Sequence, residues 1–326
     1  MRSRRLSVGS LASAVAVATL LGLLATWPAR AQVPTDCDST TITAAFEPLL
    51  RTGKMPPGLG QWLVDPKAQT MEPYRAFDNV YYVGVCWVSA WLVTTSDGAV
   101  LIDTLHDPFG DLLIANIRKV GVDPASIKYV LMTHGHFDHV GGAYKLKALT
   151  KARFAMTEKG WDEGIKSAQA SQSTPRPWTM IEKDLVVKDG DVITVGDTSL
   201  RVYETPGHTF GTASYAFTVR DGVRAYQAFT VGGLGLNAVQ SSKQVEAYIA
   251  SVTRILQLAQ RPTDPITVHL TTHPFSNGLT ESAQTLKTRG PVDPHPLVDQ
   301  AGFISQLEAL RTGAEERLVI ERNAGR

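Results

Sequence analysis

Thr133-His134-Gly135-His136-Phe137-Asp138-His139 places four metal-ligating side chains within six residues. An apolar, β-branched run over 127–132 precedes it and reads as a buried strand. Gly141-Gly142 follows and opens a short helix, so the motif projects from a strand-end loop. Imidazole nitrogen and carboxylate oxygen are the usual nitrogen and oxygen donors to zinc. Burying four such groups together without a cation would be costly, and a solvated polar loop seldom needs this density. The spacing lets His134 and His136 point one way while Asp138 and His139 point toward a second centre.

Two distant stretches complete the pattern. Thr205-Pro206-Gly207-His208-Thr209 sets one histidine in a Pro-Gly turn after a strand, and Leu270-Thr271-Thr272-His273-Pro274 sets another at a strand end. A lone histidine is more often a satisfied structural residue. Together with the first cluster, however, these two supply two three-ligand sets with room for water, the arrangement of a catalytic zinc site. His106 and His295 are assigned to outer loops, and His269 to the core of a strand or a position behind the ligands.

Around these stretches strands alternate with helices. Two apolar runs within 81–103 flank the hairpin signal Ser96-Asp97-Gly98. Helical periodicity follows at 112–120, and a strand at 153–156. Further strands read at 192–195, 200–204, 214–219 and 223–229, the last two joined by Asp221-Gly222. Residues 243–260 have Val245, Ile249, Val252, Ile255 and Leu256 on one helical face. A strand at 266–270 and a helix at 297–310 close the pattern. Mixed runs of this kind predict an α/β sandwich, with helices outside two sheets.

The termini read differently. Arg2, Arg4 and Arg5 begin the chain, 11–25 is almost free of polar groups, and Ala29-Arg30-Ala31 offers a cleavage site. The apolar run is short for a membrane span of ~20 residues. The expected organisation is a signal peptide over 1–31, an N-terminal arm over 32–72, the main domain over 73–312 and a charged tail over 313–326. The destination is the periplasm or the exterior, with no membrane anchor after cleavage. Cys37 and Cys86 could there form a disulfide tying the arm to an early strand. With 32 basic and 31 acidic residues, nothing suggests a nucleic-acid surface. A small-molecule substrate and a monomer are expected.

The His134-x-His136-x-Asp138-His139 motif, the Pro206-Gly207-His208-Thr209 turn and the Thr272-His273-Pro274 strand end resemble the metallo-β-lactamase superfamily, and within it the subclass B3 β-lactamases. The likeness extends over about residues 74–276, including Phe77-Asp78-Asn79-Val80-Tyr81-Tyr82-Val83-Gly84 and the Leu101-Ile102-Asp103 strand end. It implies an αββα sandwich of two mixed β-sheets flanked by helices, with the site in a shallow groove along one edge. It also implies two zinc ions per chain, the first held by His134, His136 and His208, the second by Asp138, His139 and His273. Lactonases and glyoxalase II-like members carry a bridging aspartate on a strand between the last two histidines. Here that stretch, 228–233, has no carboxylate, and no cysteine for a B1-type second site. A flavodiiron site would need a glutamate where His136 stands.

The implied reaction is opening of a β-lactam amide, and hence antibiotic resistance, with Asp138 orienting a zinc-bound hydroxide while also ligating. Asp103 is a candidate partner behind a metal-bound histidine. Serines that grip the drug's carboxylate in B3 enzymes are missing from their usual Ala-Asp-Ser context. Asn237, Ser241 or Ser242 could substitute, though serines there also suit helix capping. Trp178 could wall the groove or simply pack. The alternatives are a hydrolase of lactones, esters or phosphoesters on the same scaffold, and a non-catalytic metal-binding domain.

Overall fold

The computed structural model describes residue 34 and residues 36–52 and 54–325. The signal-peptide expectation for 1–31 lies outside the described residues. Seven strands form one sheet in sequential order: β1 (Tyr74–Phe77), β2 (Val80–Tyr82), β3 (Trp91–Thr95), β4 (Gly98–Ile102), β5 (Ile127–Leu131), β6 (Arg153–Met156) and β7 (Leu185–Val186). Its first four strands pair antiparallel and the remainder parallel. The second sheet runs β12-β11-β10-β9-β8, from β8 (Val192–Val195), β9 (Thr198–Glu204), β10 (Ala213–Asp221), β11 (Arg224–Thr230) and β12 (Ile266–His269). Only the β11–β12 pair is parallel there.

The helices among the described residues are α1 (Ser39–Thr52), α2 (Leu59–Trp62), α3 (Gly110–Lys119), α4 (Phe137–Val140), α5 (Ala143–Leu149), α6 (Glu158–Ser171), α7 (Ser242–Gln260), α8 (Leu279–Thr288) and α9 (Gln300–Asn323). Strand periodicity sorts the core into layers, because successive side chains face opposite ways. On β4, Val100 and Ile102 face the second sheet with Val202, Tyr215 and Phe217, whereas Leu101 faces α3 and α5 through Leu113, Ile117 and Leu146. Both faces of β4 are therefore buried, which is why its sequence is an apolar run without polar alternation. On the far side Val245, Val252 and Ile255 of α7 pack with Phe303 and Leu307 of α9. The result is two mixed sheets face to face with helices outside each, the αββα sandwich expected.

Three expectations need correcting. Residues 39–52 form a helix, not an irregular arm, and its Ile42 and Ala45 enter the core outside the first sheet. The charged tail from 313 is helical to Asn323: α9 continues because Ala314 is buried and Arg317 pairs with Glu321 one turn on. The helix expected from 297 starts at Gln300, where the Asp299 side chain accepts the Gly302 N–H at 2.8 Å as a cap. Cys37 and Cys86 are joined as a disulfide with Cα atoms 5.0 Å apart. Among the described residues no helix is long and apolar enough to cross a membrane.

Candidate metal centre

The segments that leave β5, β9 and β12 converge on one site. Met132 and Thr133 leave β5 and are stitched to both neighbouring elements: Met132 N donates to the Ala155 carbonyl at 2.9 Å, and Ala213 N to the Thr133 carbonyl at 2.8 Å. The Tyr215 hydroxyl crosses between sheets to the Met132 carbonyl at 2.9 Å. His134 and His136 follow, and α4 carries Asp138 and His139. Gly135 lies against Gly160 and Gly164 of α6, and a Cβ there would overlap that helix backbone. His208 sits in the turn between β9 and β10, and His273 just beyond β12.

The six side chains gather into two sets, His134–His136–His208 and Asp138–His139–His273, the donor atoms of each lying within 4.8 Å of one another. His136 Nδ1 is 3.0 Å from His134 Nε2 and 3.1 Å from His208 Nε2. Asp138 Oδ2 is 3.3 Å from His139 Nε2 and 3.9 Å from His273 Nε2. Bonds of about 2.0–2.1 Å in a tetrahedral zinc site would separate donors by roughly 3.3 Å, so these spacings suit such a cation.

Acceptors behind the rings fix which nitrogen faces inward. A carbonyl or carboxylate can only accept, so a ring nitrogen bonded to one carries the proton and leaves the other a lone pair. His208 Nδ1 meets the Gly235 carbonyl at 2.6 Å, His273 Nδ1 the Trp87 carbonyl at 2.6 Å, and His139 Nδ1 the Asp103 carboxylate at 2.8 Å. The Thr133 hydroxyl donates to Asp103 at 2.9 Å, so its oxygen accepts from His134 Nδ1 at 3.1 Å. Four lone pairs are thereby aimed at the two centres, and His139 Nε2 is buried without a hydrogen-bond partner. The residues fit divalent cations.

Electrostatics suit His134, His208 and His273 as neutral donors. Burial, reinforced by neighbouring imidazoles, holds His134 well below its usual pKa, and burial first lowers His208 to about 3 and His273 to about 4. These rings are neutral at physiological pH, as ligands must be. Burial opposes charge on Asp138, but His139 and the other imidazoles outweigh it and keep the carboxyl far below its usual range. Burial also opposes charge on His139, yet Asp138 and Asp103 push its pKa up to about 10. A proton and a cation compete for that one Nε2 lone pair.

Asp103 stands behind the donor rings at a left-handed φ of 62°, with Thr133 N donating to its Oδ1 at 2.8 Å. Ser241 caps α7, its hydroxyl accepting from Gln244 N at 3.3 Å. Ser242 is half-buried in the first turn of α7, and Asn237 is exposed with Oδ1 beside Gly235. Trp178 packs on the core outside the first sheet, its backbone N–H donating to Ser171 Oγ at 3.0 Å. His106 and His295 are not in outer loops. His106 is buried among Trp87, Phe109 and Phe137, and His295 stacks on Phe77 and donates to the Ala76 carbonyl at 2.8 Å. His269 is buried and held by Gln306 at 2.9 Å. The roles of Thr133, Trp87 and Gly235 escaped the sequence reading, and only Thr133, inside the motif, offered a signal.

Residues 83–223 match the model of the metallo-beta-lactamase superfamily. Among solved structures the chain is similar to BJP-1, a subclass B3 metallo-beta-lactamase of Bradyrhizobium japonicum, with TM-score 0.69, 25% identity and coverage of 79% of this chain and 97% of that one. FEZ-1 from Legionella gormanii superposes with TM-score 0.70 at 24% identity over 78% of this chain and 98% of its own. Curated sequence relatives carry another name. A hydroxyacylglutathione hydrolase of Rhodopseudomonas palustris (strain HaA2) is 36% identical over 127 residues, 39% of this chain and 42% of the relative. One of Methylobacterium sp. (strain 4-46) is 33% identical over 144 residues, 44% and 49% respectively. The chain thus spans less than half the length of these two relatives. Residues 83–223 thus match the metallo-beta-lactamase superfamily model, and the two donor sets sit on a sandwich that superposes on BJP-1, a subclass B3 enzyme.

Proposed function

We propose that the protein is a dinuclear zinc hydrolase of the metallo-β-lactamase fold, acting outside the cytoplasm as a B3-like β-lactamase. One observation carries the reading: two separate three-ligand sets among the described residues, with no carboxylate on the 228–233 stretch between His208 and His273. β11 ends at Thr230, and Gly232 and Gly233 continue against the Ala213 carbonyl and the His208 ring, where a side chain would collide. Bound zinc supplies a water ionised near neutral pH and a Lewis acid for the scissile carbonyl. Asp138 would help hold the second ion and orient water there, and His136 and His273 are the half-buried members of the two sets. The Cys37–Cys86 disulfide supports an oxidising compartment.

A second reading, hydrolysis of a thioester, lactone or other ester, draws on the hydroxyacylglutathione hydrolase relatives and on Ser241 being committed to its cap. The zinc-loaded chain should turn over nitrocefin and imipenem. Turnover of a hydroxyacylglutathione thioester or a simple lactone, with both β-lactams untouched at high enzyme concentration, would decide for the second reading.

A further inference from the structure

Helix α7 presents Gln244, Tyr248 and Ser251 in line, four and then three residues apart, along one face. All three are buried. Gln244 Nε2 donates to the His208 carbonyl at 3.0 Å and the Ala238 carbonyl at 3.3 Å, while its Oε1 accepts from Gln240 N at 3.1 Å. The Tyr248 hydroxyl donates to the Leu234 carbonyl at 2.5 Å, and Ser251 Oγ to the Pro206 carbonyl at 2.7 Å. Between Pro206 and His208 lies Gly207, at φ 144°, seated so closely on the Tyr248 backbone that no Cβ fits.

These contacts share one target. Pro206 and His208 are the backbone of the ligand turn, and Leu234 adjoins Gly235, whose carbonyl orients the His208 ring. The second donor set is braced elsewhere: Asp103 holds His139, and the Trp87 carbonyl holds His273. Val245, Val252 and Ile255 anchor α7 in the core beside the Tyr248 ring, so Tyr248→Phe removes the hydroxyl and keeps the packed ring.

We propose that Gln244, Tyr248 and Ser251 are positioning residues that fix the depth and orientation of His208, so that α7 governs cation affinity at His134–His136–His208 and leaves Asp138–His139–His273 unaffected. The inference rests on the two-zinc reading of the six donors. Its test is zinc titration of the metal-free chain against a competing chelating dye, with the two binding events assigned through His208→Ala and His273→Ala. Gln244→Met and Tyr248→Phe should each weaken the first set 10- to 100-fold, the usual effect of losing support behind a ligand, and move the second less than twofold. Val252→Ala is the control, loosening α7 without touching the turn. It should lower thermal stability while leaving both affinities in place. Equal weakening of both sets, no weakening, or the same loss in Val252→Ala overturns the positioning role. A wild-type chain that takes up no zinc overturns this inference and the two-zinc reading together, whereas two zinc ions held equally well by wild type and variants overturn the inference alone.

Discussion

Asp103 Oδ2 accepts from His139 Nδ1 at 2.8 Å and, through the same oxygen, from the Thr133 hydroxyl at 2.9 Å that orients His134. One carboxylate therefore braces a ligand in each donor set.

Asp103→Asn should weaken metal binding at both sets by about 10- to 100-fold. Asparagine tolerates the left-handed conformation at φ 62°, so the change isolates the lost acceptor from backbone strain. Zinc content per chain after dialysis against a weak chelator measures it. A loss confined to one set would contradict the shared brace.

His208→Ala and His273→Ala should each reduce zinc uptake from two ions to one and lower hydrolysis by orders of magnitude. EDTA should abolish activity and zinc restore it. Elemental analysis of each purified variant is the check, and undiminished zinc in either contradicts the ligand assignment.

His106 and His269 are both buried, and burial lowers each ring from 6.5 to about 4. As pH falls the unfolded chain takes up these protons first. Their stabilisation is therefore complete above pH 6.5 and declines until about pH 4, by up to about 3 kcal/mol for each ring. Urea melts of the metal-free chain across that window should show the decline. Replacing both rings with leucine should flatten it by their share, and an unchanged slope in that variant would refute the attribution.

Cys37 and Cys86 close a loop across a sequence separation of 49. Loop-closure entropy for that length gives about 4 kcal/mol of stabilisation. The double Cys→Ser variant should unfold at lower denaturant by an amount approaching that value. α1 also stacks Phe46 on Phe275 at 5.2 Å, two residues from His273, so the same variant tests whether the helix steadies that ligand.

The donors were legible because His134, His136, His208 and His273 follow strand ends or sit in a marked turn, and Asp138 and His139 come directly after on the short α4. Their supports were harder to read. The carbonyls of Trp87 and Gly235 orient two rings, but a backbone carbonyl has no residue-type signature. α6 went unread because Gly160 and Gly164 lower helix propensity, yet those glycines make room for Gly135. α1, with Pro48 inside it and few apolar positions, was read as an arm, although Ile42 and Ala45 dock it in the core. His295 was misplaced because its burial arises from Phe77, far along the chain, and His106 because Trp87 and Phe137 join Phe109 around it only in the fold.

The carbonyls, threonine and carboxylate behind the ligands have a consequence for supply. Rings pinned by the polypeptide keep their aim without cargo, unlike small zinc domains whose shape exists only around the ion. A chain so braced is expected to finish folding before it takes up its ions, which circular dichroism of the metal-free protein would check.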